Sequence, residues 1–243
     1  LPGVRYRSRT RGVLRGQLVS AGEQLRTGWL SITGLLLLSA LPVVGGVLRL
    51  GELSTDRDGT RAALITVAVV AHIVAMTVFC LLGAFQFSPA LRARRGWHRT
   101  AGRALIPVGF LAAVSSVPLG VFFAGPPDEF PLAVARVVFA VAMVLFLARG
   151  AIAIQRRDFA THGEWMTRAY AIAVSGGTQA LVVALWSIPA GEVDASAETW
   201  LVAVGFVINS VAAELLVRRR AGATPPQRGG LSSVSTPPAR SGT

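Results

Sequence analysis

Six apolar stretches, each close to the ~20 residues a helix needs to cross a bilayer, are separated by connections that are alternately arginine-rich and acidic. That pattern leaves little choice of architecture. Inside hydrocarbon every backbone N–H and C=O must be paired within the protein, and apolar segments of this length achieve that as helices. The expected fold is therefore all-α, an integral membrane bundle of six transmembrane helices spanning about 29–50, 62–87, 102–124, 131–154, 166–188 and 198–217. Charged residues make up only 15% of the chain and hydrophobic ones 52%, where a soluble domain carries about 25% charged residues.

The charges set the orientation. Residues 1–28 hold Arg5, Arg7, Arg9, Arg11, Arg15 and Arg26 against Glu23, and the next connection holds Glu52, Asp56 and Asp58 against Arg57 and Arg61. Further along, Arg92, Arg94, Arg95, Arg99 and Arg103 alternate with Asp128 and Glu129, then Arg149, Arg156, Arg157 and Arg168 with Glu192 and Asp194, and Arg218, Arg219 and Arg220 follow the last span. The positive-inside rule places every arginine-rich segment, and both termini, in the cytoplasm. The net charge of +12 then reflects topology and contact with anionic lipid headgroups rather than nucleic acid. Trp29, Trp97 and Trp165 fall at inner ends, and Trp186 and Trp200 at outer ends, as an interfacial indole should.

All 24 basic residues are arginine, a bias that fits a GC-rich bacterial genome and hence the bacterial inner membrane. A signal-peptide reading of the first span is disfavoured because its apolar stretch exceeds a usual h-region. Residues 218–243, with Pro225, Pro226, Gly229, Gly230, Pro237 and Pro238, are read as a disordered cytoplasmic tail. The chain opens on leucine, which points to a missing start or an unusual start codon.

Chemistry-bearing residues are few. A lone Cys80 inside the second span cannot form an intrachain disulfide or a cysteine-based metal site. Phosphate-binding glycine loops, nucleophile elbows and His-Glu-x-x-His helices are missing, so the reading leans away from an enzyme. His72 lies near mid-bilayer on a stripe with Met76, Phe79, Gly83 and Gln86, a stripe that must face the bundle. His98 and His162 occupy matching contexts near the inner face, each with an arginine pair before it, a nearby tryptophan and an arginine five or six residues on, a hint of internal duplication. Gln179 and Asn209 add polar groups near mid-depth. Gly109, Ala113, Ser116 and Gly120, and likewise Gly205, Asn209 and Ala213, have the spacing of helix-packing seams. Arg136 and Glu214 lie near span ends, where snorkelling or pairing accounts for them.

The run Gly83-x-x-Gln86-Phe87-Ser-Pro, the segment His98-Arg99-x-x-Gly102-Arg103 and the segment His162-x-x-Trp165-Met166-x-Arg168-x-Tyr170, together with the mid-span histidine, resemble the bacterial membrane proteins grouped as domain of unknown function 2306, over roughly Trp29 to Val217. The resemblance implies a multi-pass bacterial membrane protein with histidine motifs and no agreed activity. Three functional readings stay open. In the first, His98 and His162 hold a haem b, or with Glu164 a metal, and Arg99, Arg103 and Arg168 orient an anionic headgroup, propionate or substrate. In the second, His72, Gln86, Gln179 and Asn209 line the path of a small-solute or proton carrier. In the third, the chain is a lipid-binding scaffold. Its partners are the bilayer and anionic headgroups, with a homo-oligomer left open and nucleic acid excluded.

Overall fold

The computed structural model describes residues 28–51, 60–122, 130–191 and 193–222. The basic segment before Gly28, the acidic connections around Asp56 and Asp128, Glu192 and the tail beyond Gly222 lie outside the described residues. Seven helices follow in order: α1 (Gly28–Gly51), α2 (Thr60–Gln86), α3 (Pro89–Ala93), α4 (Arg95–Phe122), α5 (Phe130–Gln155), α6 (Phe159–Ala190) and α7 (Ala195–Gly222). All but the short α3 are long and apolar enough to span a membrane, six candidate spans in all. The described structure contains no strand.

Outward-facing Leu37, Leu64, Val67, Val138, Leu145, Leu185 and Val207 are exposed. In water such a surface would drive association, and in a bilayer it is the solvated face. The molecule is an integral membrane protein. Its interior is built from smaller or aromatic side chains: Phe79, Cys80, Ala84, Ala113, Met143, Leu147, Ala169 and Tyr170 form one buried cluster. The Tyr170 hydroxyl donates to the Cys80 carbonyl at 2.7 Å, tying α6 to α2, and its ring packs 4.9 Å from that of Phe87. That bond satisfies a hydroxyl which burial among apolar groups would otherwise leave unpaired.

The long helices pack in chain order, α2 on α4, α4 on α5, α5 on α6 and α6 on α7, and α6 also reaches α2. Helix α1 closes the remaining side. A Cβ on Gly177 of α6 would collide with the Leu38 carbonyl oxygen of α1, and one on Gly46 of α1 would come within 2.7 Å of Ile73 on α2. Glycine at these two places lets helix backbones touch, the use small residues serve where lipid offers no hydrophobic drive for association.

At the arginine-rich end the helices run past the apolar stretches. Helix α4 begins at Arg95 and α6 at Phe159, ahead of the spans expected from about 102 and 166. Hydropathy falls at the charges, but helix starts are set by local hydrogen bonding. Asp158 caps α6 by accepting from the Thr161 amide at 3.0 Å, and Ser88 with Pro89 starts the short α3. Arg157, at φ 60°, makes the reversal between α5 and α6 in the left-handed region. His98 and His162 thereby become the fourth residues of their helices instead of loop residues. Each donates its amide to the carbonyl of the residue just before the helix, Arg94 and Asp158 respectively.

Candidate functional site

The three histidines occupy two separate places. His72 on α2 points at α4, where its Nδ1 lies 2.9 Å from the Ala112 carbonyl oxygen and 3.4 Å from the Ser115 hydroxyl. The carbonyl only accepts, so Nδ1 is the nitrogen that carries hydrogen. Ser115 in turn donates to the Leu111 carbonyl at 2.6 Å. The neutral ring is thus fixed as one tautomer, with Nε2 its remaining polar atom.

His72 lines a cavity of about 560 Å³, within the range of small-molecule sites. All six long helices contribute to it. Met76 from α2, Ala112 and Ser116 from α4, Ala140 and Met143 from α5, Ile172 and Gly176 from α6 and Phe206 from α7 make an apolar wall. Gln179 from α6, Arg136 from α5 and Arg49 from α1 bring polar groups. The Gln179 amide nitrogen is buried without a hydrogen-bond partner, while its stem fits against Gly205. An unpaired buried donor costs ~1–3 kcal/mol unless a ligand or water meets it. Arg136 faces Glu198 at 3.7 Å, with both side chains near half exposed. Phe206 is held by stacking on Phe139, ring centroids 4.1 Å apart. Glycine and alanine where α4 and α6 meet the cavity leave the space open, and Tyr170 with Phe79 and Leu147 fills the bundle below it, towards the arginine-rich end.

The second place is at that end. Antiparallel α2 and α4 place His72 opposite Ala112, so fourteen residues along each brings Gln86 level with His98, ~21 Å from His72 at 1.5 Å per residue. Both polar atoms of the Gln86 side chain and Nδ1 of His98 are buried without partners. His98 lies close enough to His162 and Arg92 for their charges to act on it. The His162 Nδ1 donates to the Gly150 carbonyl at 2.8 Å, which leaves its Nε2 available.

The other residues singled out in the sequence are placed as follows. Gln179 shares the cavity with His72, whereas Gln86 does not. Asn209 is absorbed into packing, its amide donating to Thr178 Oγ1 at 2.7 Å and to the Gly205 carbonyl at 3.2 Å. Arg168 is engaged by Glu214, with Nε and Nη2 at 3.1 and 2.9 Å from one carboxylate oxygen, and by Glu164 at 3.6 Å. Arg218 holds the other oxygen of Glu214 at 2.9 Å. Arg168 and Arg149 also lie over the Trp165 ring, 4.8 and 4.9 Å from its centroid. Arg99 and Arg103 are exposed on α4. Among the described residues no three metal-ligating side chains converge, so Glu164 does not join His98 and His162 in a cluster. Sequence reasoning missed Arg49, Met143 and Phe206 as cavity residues. For Arg49 the signal was present, a guanidinium placed inside an otherwise apolar span.

Compared with the curated proteins and with solved structures, the chain matches none. A family model matches residues 69–217, well over half of the chain, and takes in α4, α5, α6 and most of α2 and α7 but none of α1. The residues that line the cavity from α2 to α7, and both histidines at the arginine-rich end, lie within that match, so the chain belongs to the family described as predicted membrane protein, DUF2306.

Proposed function

We propose that this protein is a carrier of the bacterial plasma membrane that takes a small amphipathic organic anion into the cavity around His72, with its arginine-rich end on the cytoplasmic side and that end in contact with anionic headgroups. The orientation rests on the positive-inside rule. The observation that carries the reading is the 560 Å³ cavity itself, apolar along its walls and polar at a few points. An apolar body fits against Met76, Met143 and Phe206. The charged end lies towards Arg136 and Arg49, whose guanidinium forks suit a carboxylate, sulfonate or phosphate. Gln179 offers its unpaired N–H to an acceptor on the ligand.

His72 couples binding to protons. Neutral, its Nε2 is an acceptor and repels an anion's oxygen; protonated, it becomes a donor and adds a positive charge. The charged groups that share the cavity are Arg49 on α1 and Arg136 on α5, the latter facing Glu198 of α7, and among the described residues α4 and α6 present none to it. A bound anion favours the protonated ring, so an anion and a proton enter together. Transport would require the plug of Phe79, Leu147 and Tyr170 to open towards the arginine-rich end, which places the gate at the Tyr170–Cys80 hydrogen bond.

The test is uptake of 2-naphthalenesulfonate, whose charge does not titrate, into vesicles containing the full chain. Uptake is expected to rise with an inward proton gradient and to fall to the empty-vesicle rate in His72→Leu. Equal uptake by protein-containing and empty vesicles would refute the carrier reading.

A further inference from the structure

Three of the four buried side-chain polar atoms that have no partner among the described residues sit together at the arginine-rich end, on Gln86 and His98. A fold rarely buries three such atoms in one place without something to meet them. Two further observations say what. The first is the pair of imidazoles. His98 on α4 lies near enough to His162 on α6 to feel its charge, yet the two helices do not touch: their Cα traces stay more than 8 Å apart, and each packs on α2 and α5 instead. The histidines therefore stand at the same end of two helices that lie diagonally in the bundle, the placement from which cofactor sites of helical bundles are built. The His162 Nδ1 donates to the Gly150 carbonyl, the hydrogen bond that fixes a ring with its Nε2 lone pair free for a metal.

The second is charge. Arg92 acts on His98 and is itself close to Arg220. The described carboxylates at this end are engaged, Glu164 and Glu214 by Arg168 and Asp158 by the Thr161 amide. A bare divalent cation would find two ligands, no third among the described residues, and a field of guanidinium groups. The site asks instead for a metal centre that needs only two imidazoles and carries its own negative groups. We infer that His98 and His162 are the axial ligands of one b-type haem seated across the bundle at its arginine-rich end, with its propionates directed to Arg92 and its neighbours. This site is independent of the anion cavity, ~21 Å away along the helices, and stands or falls separately from it.

The experiment is expression of the full chain in haem-supplemented cells, purification in detergent, and a reduced-minus-oxidised spectrum with pyridine-haemochrome quantification. About one low-spin haem per chain is expected. His162→Gly and His98→Gly should each lower haem content at least tenfold, and added imidazole should restore it, a rescue that a misfolded variant would not show. His72→Ala should keep full haem content. A wild-type chain that elutes as a single species and takes up no haem, during expression or on titration with hemin, overturns the inference. So does undiminished haem in both glycine variants, or equal loss in His72→Ala.

Discussion

Single residues decide how closely these helices pack, and the glycines show it best. A Cβ on Gly83 would sit 2.6 Å from the Tyr170 ring, whereas one on Gly34 meets nothing within 4 Å. Gly83→Ala must push Tyr170 off the Cys80 carbonyl, and overpacking of this kind costs ~1–3 kcal/mol. Thermal unfolding in detergent should therefore show a clear drop for Gly83→Ala and none for Gly34→Ala. Asp158 offers a pH test. Hydrogen bonds from Thr161 hold its carboxyl below the ordinary carboxylate range. A depressed pKa means that the cap contributes above the unfolded-state value of about 3.9 and is lost as pH falls through the folded one. Protection of the Thr161 and His162 amides against exchange, relative to the intrinsic rate at each pH, should be higher at pH 6 and fall below pH 4, and Asp158→Ala should remove the difference. Some of this could be read from residue types alone, such as His72 facing inward. The partners could not, because a carbonyl such as that of Ala112 or Gly150 has no signature in the sequence.

Whole helices were the most legible level, since twenty apolar residues between charges can satisfy their backbone in lipid in only one way. Their ends were less so. Hydropathy puts the start of the third span near Gly102, but the helix begins at Arg95, because hydropathy falls at charged residues that are themselves good helix formers. That extension carries His98 and His162 into helices and gives each a fixed direction. Helix α1 is the element the family match leaves out, yet it supplies Arg49 to the cavity and closes the bundle. Its docking is testable. A Cβ on Gly46 would lie 3.7 Å from the Ile73 Cβ, inside the separation that a disulfide requires. In a Cys80→Ala background, the pair Gly46→Cys and Ile73→Cys should cross-link under mild oxidation, and adding Gly177→Leu should suppress the link by forcing α1 away from α6. Unchanged cross-linking in the variant that also carries Gly177→Leu would contradict the packing described.

At the scale of the molecule, two polar regions are separated by an apolar plug: a cavity around His72 reached by Arg49 and Arg136, and an arginine-rich end with His98, His162 and Gln86. Sequence spacing put His72, Met76, Phe79 and Gln86 on one stripe but could not say that the stripe crosses both regions. Which residues of six helices meet at one depth depends on register and rotation, set by contacts such as Gly83 with Tyr170 rather than by any one helix. The proposed carrier holds its anion through His72 and Gln179. The direct measurement is equilibrium binding of 2-naphthalenesulfonate to the purified full chain, followed by its fluorescence, with neutral 2-naphthol as competitor. Saturable binding that tightens from pH 8 to pH 6, resists 2-naphthol, weakens about tenfold (~1.4 kcal/mol) in Gln179→Leu and loses its pH dependence in His72→Leu is the expected result. Binding that does not saturate, or that is identical in the wild type and both variants, would contradict it.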